Sequence, residues 1–415
     1  MQEAIRQDKV PHGTIIYITL TTIIIYLTLL AFAANIKNRE WYVDENIFIP
    51  TIQLFYEHPT LETLKTYPEI PGPLTFVMYA AWAKLVGFST FRLRLFSIAI
   101  AAAVFFLIFS IVKKGSGSAL HGYLAMLLCM ANPYMAGLSI FVFTDMAMLL
   151  FMLLTYKAVD AKSPVLVFLF MACALLCRQY AGIMYGAIIA FSGLTWLQSR
   201  QRIDLALITA TLLSMVPMIC LFLLWGGIAP KAGLEKYISN YDLKFGSYLV
   251  FYTATWWIYL LPAILWKAKT LFNSKLLGFA SLSGIFIYPF FPVTISEWTK
   301  ADSCYTTNGY VHRIIRAVTG EFIGEHILFA LLFCIGLYLL LRIGKNTLDD
   351  IRQRRIGLPL LSNLMMLAFL CLMPLQYQVW EKYLVMILPF MLFGFFRVES
   401  GAGAATRKTT NPAAT

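Results

Sequence analysis

Charged residues are scarce in this sequence. Asp, Glu, Lys and Arg make up only 13% of its 415 residues, whereas 60% are hydrophobic. Apolar runs recur from end to end, and many reach the roughly 20 helical residues that cross a bilayer core of about 30 Å. A soluble core cannot bury so much apolar surface, and in lipid a helix satisfies its own backbone groups. The composition therefore excludes a soluble domain and predicts an all-α polytopic membrane protein.

Disulfide and metal-site spacings are also missing. The chain has seven cysteines, and all but Cys304 lie in apolar runs, where a thiol acts as a small hydrophobe. No CxxC or Cys/His spacing occurs, and His312 and His326 have no suitable neighbours in sequence. We expect no metal and no cofactor. The net charge of +12 would suggest nucleic acid in a soluble protein, but in a membrane protein its distribution decides, and we expect no nucleic-acid partner.

The charge distribution predicts the topology. About twelve spans are expected, near 13–35, 94–112, 119–141, 146–158, 164–177, 180–197, 203–228, 247–266, 276–295, 323–341, 357–375 and 380–396. The segment 73–88 is short for a span. If it does not cross, one side carries 19 basic and seven acidic residues and the other carries 14 of each. The excess marks the cytoplasmic side.

This topology gives one domain with a single chemical face. Residues 1–398 form the predicted transmembrane domain, both termini are cytoplasmic, and residues 399–415 are expected to be a disordered tail. A large outer loop, residues 36–93, is expected to contain interfacial helices, including 73–88. The charged residues that are candidates for chemistry then fall on the outer side: Asp44, Glu45, Arg94, Asp145, Arg178 and Lys382.

Two adjacent carboxylates, Asp44 and Glu45, follow the first span on that side. Charged groups at a membrane face are costly unless they are functional or well hydrated. Neighbours on a helix point about 100° apart, so the two have different roles. We predict that Asp44 is a general base and Glu45 an orienting group or acceptor ligand. The alternative for Asp44 is a cap on a helix over 45–56.

Three basic residues are predicted ligands of an anion. Arg178 lies between two apolar runs, where an arginine needs an anionic partner, either a phosphate or an acid such as Asp145. Arg94 and Lys382 open predicted spans on the outer side. Each is a second candidate for holding phosphate, with snorkelling to the interface as the alternative.

Three further polar residues are predicted to support the site or bind an acceptor. Asp145 is at the outer start of the fourth predicted span, where a helix cap is the alternative. Gln179 follows Arg178, and Glu381 precedes Lys382. Together these residue types suit transfer of a sugar from a lipid phosphate, which needs one carboxylate to accept a proton and cations to stabilise the departing phosphate.

An ordered series of short motifs covers nearly the whole chain. The motifs are Tyr42-Val43-Asp44-Glu45 with Ile49-Pro50 and Gln53; Pro71-Gly72-Pro73-Leu74; Leu93-Arg94-Leu95; Asn132-Pro133; Phe143-Thr144-Asp145; Cys177-Arg178-Gln179; Trp225-Gly226-Gly227-Ile228; and Glu381-Lys382-Tyr383 before Pro389. In this order the chain resembles the GT-C class of polyprenyl-phosphate-sugar-dependent glycosyltransferases. The most similar family is the dolichyl-phosphate-glucose alpha-1,2-glucosyltransferases of N-glycan precursor assembly.

The resemblance implies an inverting hexosyltransferase. Its donor would be a dolichyl or polyprenyl phosphate sugar, glucose in that family, and its acceptor a lipid-linked oligosaccharide or related glycan. Transfer would occur on the lumenal or extracytoplasmic face of the endoplasmic reticulum membrane or, in a bacterium, of the plasma membrane. Asp44 would be the base, and Arg178 with Arg94 or Lys382 would bind the donor phosphate.

Other functions remain open. The chain departs from the family pattern at Phe48, where a His is usual, at Ala229-Pro230-Lys231-Ala232-Gly233 and at Asn308-Gly309-Tyr310. A divergent GT-C enzyme that glycosylates another lipid, glycan or protein is one alternative. A transporter or flippase and an inactive scaffold subunit are the others. Against transport, spans 94–112, 247–266, 276–295 and 357–375 have no Asp, Glu, Lys, Arg or His between their ends.

Overall fold

The computed structural model describes residues 12–237, 243–266, 268–296, 299, 306–376 and 378–396. In these ranges the chain is helical and contains no β-strand. Together with its long apolar helices, this confirms the prediction of an all-α polytopic membrane protein. The predicted tail 399–415, the first eleven residues and Cys304 lie outside the described residues.

A first long helix leads into a loop that carries three shorter helices. These elements are α1 (His12–Ala33), α2 (Glu45–Glu57), α3 (Leu61–Thr66), α4 (Leu74–Val86) and then the long α5 (Thr90–Ser116). Helix α4 has 13 residues, about 20 Å at 1.5 Å per residue. It is too short to cross a core of about 30 Å, as the interfacial placement of 73–88 requires.

The middle of the chain is a series of shorter helices. They are α6 (Ala119–Met130), α7 (Pro133–Ile140), α8 (Asp145–Asp160), α9 (Pro164–Cys177), α10 (Ile183–Ser199), α11 (Arg202–Leu213), α12 (Val216–Trp225) and α13 (Lys231–Tyr237). The chain bends by 78° between α6 and α7. Asn132 makes this bend because its side-chain oxygen caps α7, accepting from the N–H groups of Tyr134 and Met135, and Pro133 suits the first helical position.

The last part of the chain contains the longest helix. Its helices are α14 (Phe245–Thr255), α15 (Leu261–Trp266), α16 (Ala268–Leu271), α17 (Ser274–Ile287), α18 (Tyr310–Thr319), α19 (Ile323–Arg352), α20 (Leu358–Leu372) and α21 (Leu388–Phe395). Short 3₁₀ turns lie at Gln179–Gly182, Ile258–Leu260, Tyr288–Phe290, Met373–Leu375 and Glu381–Met386. The last of these turns carries two of the predicted site residues.

Fewer helices reach membrane length than the sequence predicts. Among the described residues, seven are long and apolar enough to cross a bilayer, or eight if the bent pair α6 and α7 is one span. Predicted spans at 146–158, 164–177 and 380–396 correspond to α8, α9 and α21, which have 16, 14 and eight residues. The multi-pass architecture is confirmed, while the number twelve stays a prediction.

Polar contacts between loops join segments of the same predicted side. On the inner side Lys114 pairs with Asp160 at 2.5 Å, and Lys162 lies 4.0 Å from Asp204. On the outer side Glu45 and Arg94 are 2.6 Å apart. This last contact brings the two ends of the segment between them together, as a loop that does not cross the membrane requires.

Close packing between two long helices depends on a glycine. In α19, Gly336 faces the backbone of α14, and a Cβ built there would lie 1.7 Å from the carbonyl oxygen of Thr253. Protein interiors are packed like organic crystals, so an added methyl group has no room unless the helices separate. Gly344, two turns further along α19, has no atom within 4 Å of such a Cβ.

We therefore expect Gly336→Ala to destabilise the protein, by about 1–3 kcal/mol, as overpacking of a tight core does. Gly344→Ala is the matched control in the same helix, and it should leave stability unchanged or raise it, because Ala favours helix more than Gly does. The midpoint of thermal unfolding in detergent compares the two. Equal midpoints would contradict the close packing of α14 on α19.

Candidate active site

Asp44 is paired with a lysine from the far end of the chain. Its Oδ2 accepts a hydrogen bond from Nζ of Lys382 at 3.0 Å. Asp44 occupies the N-cap position of α2 but makes no side-chain capping bond, so its carboxylate does not cap the start of the helix. The side chains of Asp44 and Lys382 are 24% and 19% exposed. The carboxylate is therefore held by a cation and still accessible.

The turn before Asp44 has an unusual backbone. Val43 has a φ of 49°, a left-handed conformation that is costly for a β-branched residue. Hydrogen bonds hold the turn closed: the N–H of Tyr42 donates to Glu45, and the side-chain amide of Asn46 donates to the carbonyl of Val43. Strained backbone of this kind concentrates at functional sites, where the surrounding contacts fix a residue in one orientation.

A second ion pair joins the start of α8 to the end of α9. Nη2 of Arg178 donates to Asp145 at 3.1 Å, and Nε donates to the hydroxyl of Thr144. The hydroxyl of Tyr180 donates to the other oxygen of Asp145. The sequence left open whether Arg178 pairs with an acid, and the structure shows that it does. Thr144, the residue before Asp145, is the N-cap of α8.

The two pairs lie close enough for Lys382 to interact electrostatically with Asp145, and Arg178 with Asp44. They therefore form one group, the outer charge cluster: Asp44, Lys382, Asp145 and Arg178. Its formal charge is zero, because two carboxylates face two cations. Only one described hydrogen bond uses Nζ of Lys382, and no described residue accepts from Nη1 of Arg178. Both cations therefore keep donors for an added anion. Asp145 and Arg178 are less accessible than Asp44, with side chains 6% and 12% exposed.

Glu45 and Arg94 form a separate, fully buried pair. Their side chains are 0% exposed. Arg94 uses all five of its N–H donors, two on Glu45 and the others on the carbonyls of Ile36, Arg39 and Glu40. Glu45 also accepts from the N–H groups of Tyr42 and Val142.

These contacts change the roles predicted for the two residues. A phosphate ligand needs a free donor and an acceptor ligand needs an accessible oxygen, and this conformation of Arg94 and Glu45 offers neither. The pair instead fixes the backbone of the outer loop around Asp44. The arrangement agrees with an orienting role for Glu45, one of its two predicted roles, which stays a prediction.

Gln179 ties the outer loop to the helix that carries Arg178. Its side-chain amide donates to the carbonyl of Ile70 at 2.6 Å. Next to this contact the loop touches α9 so closely that a Cβ on Gly72 would lie 2.1 Å from the carbonyl oxygen of Leu176. The Pro71-Gly72-Pro73 motif therefore has a packing role. The contact of Gln179 with the Ile70 carbonyl is compatible with site support, one of its two predicted roles, which stays a prediction.

Glu381 is buried beside Lys382 and faces away from the outer charge cluster. It is 0% exposed and accepts from backbone N–H groups at the start of α18 and from two tyrosine hydroxyls. Because Glu381 is fully buried, neither of its oxygens is accessible to an acceptor sugar in this conformation. Its predicted role as site support is compatible with this position, and both predicted roles stay predictions.

The sequence missed several tyrosines that contribute to these contacts. Tyr180 bonds Asp145, Tyr134 and Tyr259 bond Glu381, and Tyr383 stacks edge-on against Tyr180 with ring centroids 5.5 Å apart. Tyr383 belongs to a motif already noted, and Tyr134 and Tyr180 directly follow two others. Aromatic residues are common at membrane interfaces for other reasons, so these positions gave no signal of their own.

His312 and His326, the two histidines near the last large loop, are held in hydrogen bonds. Burial lowers the pKa of His312, so the ring is neutral at pH 7. Nδ1 accepts from the N–H of Asn308, which leaves the proton on Nε2, facing Glu325 at 2.7 Å. His326 bonds Tyr288. In the described part of the chain no three His, Cys, Asp or Glu residues form a group able to hold a metal ion.

Comparison with known proteins adds little to this geometry. No protein-family model matches the sequence, and no curated protein matches it. Among solved structures the chain is similar to the crystal structure of ArnT from Cupriavidus metallidurans in the apo state, with 14% identity and a TM-score of 0.40, over 91% of this chain and 75% of that one. At these values the similarity assigns neither fold nor function. What the site can do follows from its own residues.

We expect Arg94→Met to destabilise the protein by about 3–5 kcal/mol, because it leaves the buried Glu45 carboxylate without its cation. Lys114→Met is the control: it breaks a surface pair whose lysine side chain is 74% exposed, and exposed pairs contribute about 1 kcal/mol or less. Thermal unfolding in detergent measures both. Similar losses for the two variants would show that the Glu45–Arg94 pair does not hold the outer loop.

Proposed function

We propose that this protein is an integral membrane glycosyltransferase of the GT-C class, which transfers a sugar from a polyprenyl phosphate to an acceptor hydroxyl. One observation carries the proposal: an accessible carboxylate, Asp44, lies between cations with unused donors, in a cluster whose members come from four distant segments. An apolar, helical protein supplies the lipid environment that a polyprenyl donor needs. The ordered motifs of the sequence support the same class.

In the proposed reaction Asp44 is the general base. It accepts the proton of the acceptor hydroxyl as that oxygen bonds to the anomeric carbon of the sugar, and the bond from that carbon to the phosphate oxygen breaks. The products are the glycosylated acceptor and a polyprenyl monophosphate. Attack from the face opposite the leaving phosphate inverts the anomeric configuration. Lys382 holds the Asp44 carboxylate in place until the acceptor arrives.

Lys382 and Arg178 are the proposed phosphate ligands. The leaving phosphate gains negative charge as the glycosidic bond breaks, and cations already in place stabilise it without reorganising. An anion between them would share their positive charge with Asp44 and Asp145. Thr144, Tyr180 and Asp145 fix the plane of the Arg178 guanidinium, so its Nη1 donors are preorganised. Fixed cations make a metal unnecessary for this step.

The identity of the substrates rests on the resemblance alone. It favours glucose as the sugar, dolichyl or another polyprenyl phosphate as the carrier, and a lipid-linked oligosaccharide as the acceptor. The charge distribution favours the lumenal or extracytoplasmic face for the site. Transfer to another glycan, lipid or protein is compatible with the same cluster, because the cluster contacts the phosphate and the reacting hydroxyl.

We expect Asp44→Asn to lower sugar transfer by roughly 10²–10⁴-fold, the usual contribution of a general base. Purified protein in nanodiscs, radiolabelled polyprenyl-phosphate glucose and a mixture of glycan acceptors provide the assay. Asp160→Asn, the same chemical change in an inner-side ion pair, should retain activity.

Sugar transfer that survives Asp44→Asn would exclude Asp44 as the general base. Absence of transfer by the wild type with glucose, mannose and other polyprenyl-phosphate sugars would refute the transferase proposal. Movement of labelled lipid across the bilayer of reconstituted vesicles, unaffected by Asp44→Asn, would establish a flippase instead.

We expect Arg178→Gln to weaken inhibition by polyprenyl monophosphate roughly 10- to 100-fold, since a charge-assisted hydrogen bond contributes about 1.5–3 kcal/mol. Arg92→Gln removes an exposed arginine from the outer side and should leave the inhibition constant unchanged. The constant is measured against the donor in the transfer assay. Equal inhibition of the wild type and Arg178→Gln would exclude Arg178 as a phosphate ligand.

A further inference from the structure

Glu381 lies at the centre of a buried hydrogen-bond cluster that the proposed reaction does not use. The Glu381 cluster consists of Glu381, Tyr134, Tyr259, Val311 and His312. Oε2 accepts from the hydroxyl of Tyr259 at 2.6 Å and from the N–H of Val311 at 2.9 Å, with the Tyr134 hydroxyl more distant at 3.4 Å. Oε1 accepts from the N–H of His312 at 2.9 Å. Three separate parts of the chain meet on one carboxylate.

The backbone contacts show what Glu381 does to α18. Val311 and His312 occupy the second and third positions of this helix, after the N-cap residue Gly309. The first N–H groups of a helix have no partner within it, and an anion at that end is stabilised by the helix dipole. Glu381, from a distant segment, supplies both the hydrogen-bond acceptors for these N–H groups and the carboxyl group at the start of the helix. In return, the N–H of Glu381 donates to the carbonyl of Asn308 at 2.9 Å.

Gly309 allows this contact to be so close. Its φ is 147°, and a Cβ at this position would lie 2.4 Å from the hydroxyl oxygen of Tyr134 and 2.5 Å from Cδ of Glu381. No other residue fits without moving the cluster apart. The Asn308-Gly309-Tyr310 stretch, which sequence analysis noted only as a departure, is therefore where α18 docks on Glu381.

The next residue along the chain is Lys382, which bonds Asp44. Both residues belong to the rigid 3₁₀ turn Glu381–Met386, and side chains one residue apart in such a turn point about 120° from each other. Fixing Glu381 on α18 therefore fixes the backbone from which Lys382 reaches Asp44. A free lysine side chain loses rotamer entropy when it is held, and a fixed backbone reduces what must still be ordered.

We infer that Glu381 is a positioning residue, which holds Lys382 on Asp44 by anchoring their shared segment to the outer helix α18. The inference rests on the proposed function, in which Lys382 and Asp44 take part. It gives α18 a role: seating of this helix on Glu381 is linked to the geometry of the reacting groups. The link is covalent on one side, through the peptide bond between Glu381 and Lys382, and hydrogen-bonded on the other.

A double-mutant cycle tests whether Glu381 acts through Lys382. Glu381→Gln retains the size of the side chain but offers one oxygen in place of two, so it cannot accept from both N–H groups. We expect it to lower transfer about tenfold, and Lys382→Met about a hundredfold. The double variant should be no worse than Lys382→Met alone, because residues that act as a unit are not additive. A product of the two losses would overturn the inference.

Two further variants separate positioning from general damage. Glu381→Asp retains both oxygens on a shorter stem and should recover part of the activity lost in Glu381→Gln. Glu62→Gln makes the same chemical change at an exposed position of the outer loop and should have no effect. Loss of folded protein in Glu381→Gln, with no recovery in Glu381→Asp, would assign Glu381 a purely structural role.

Hydrogen exchange gives a readout that does not need activity. In the wild type the amides at the start of α18 should exchange slowly, and Glu381→Gln should accelerate them. The segment 42–47, which carries Asp44, should also exchange faster if Lys382 no longer bonds Asp44. Faster exchange in α18 with an unchanged segment 42–47 would contradict the link. If the wild type neither transfers sugar nor binds polyprenyl monophosphate, the proposed function fails, while this exchange pattern still decides the role of Glu381.

Discussion

The buried ion pair between Glu45 and Arg94 is the contact on which the outer face depends. A charge in a low-dielectric interior is costly unless every donor and acceptor is satisfied. Arg94 meets this requirement with five hydrogen bonds, three of them to backbone carbonyls of the loop between α1 and α2. Glu45 in turn bonds the N–H of Val142, just before α8. One pair thus fixes three segments, and with them the turn in which the strained Val43 presents Asp44.

The outer charge cluster is built on that frame and follows the same rule. Each carboxylate faces a cation from another part of the chain: Asp44 faces Lys382, and Asp145 faces Arg178. Opposite charges stabilise one another here more than at a surface, since less water screens them. The arrangement is complete without substrate yet leaves donors on both cations. It is therefore suited to admit an anion without first breaking a buried pair.

Particular residues show where sequence reasoning succeeded and where it failed. Asp44, Asp145, Arg178 and Lys382 were singled out because charges beside apolar runs are rare and need a reason, and they converge. Arg94 had the same local signature, but its donors are spent on backbone. Nothing in the sequence distinguishes the two kinds of arginine, because the difference lies in which carbonyls happen to surround the guanidinium. Tyr134 and Tyr259, likewise, look like ordinary interfacial aromatics.

The sequence by itself determined the all-helical membrane architecture, because composition and the length of apolar runs decide whether a chain can enter lipid. It also predicted that the charged candidates share one side, because an excess of basic residues marks the cytoplasmic side. Only the tertiary structure decided the partners. Asp44 and Lys382 are 338 positions apart, and hydrogen bonds of a few ångströms depend on how the helices pack. Packing is a property of the whole chain, and no local pattern encodes it.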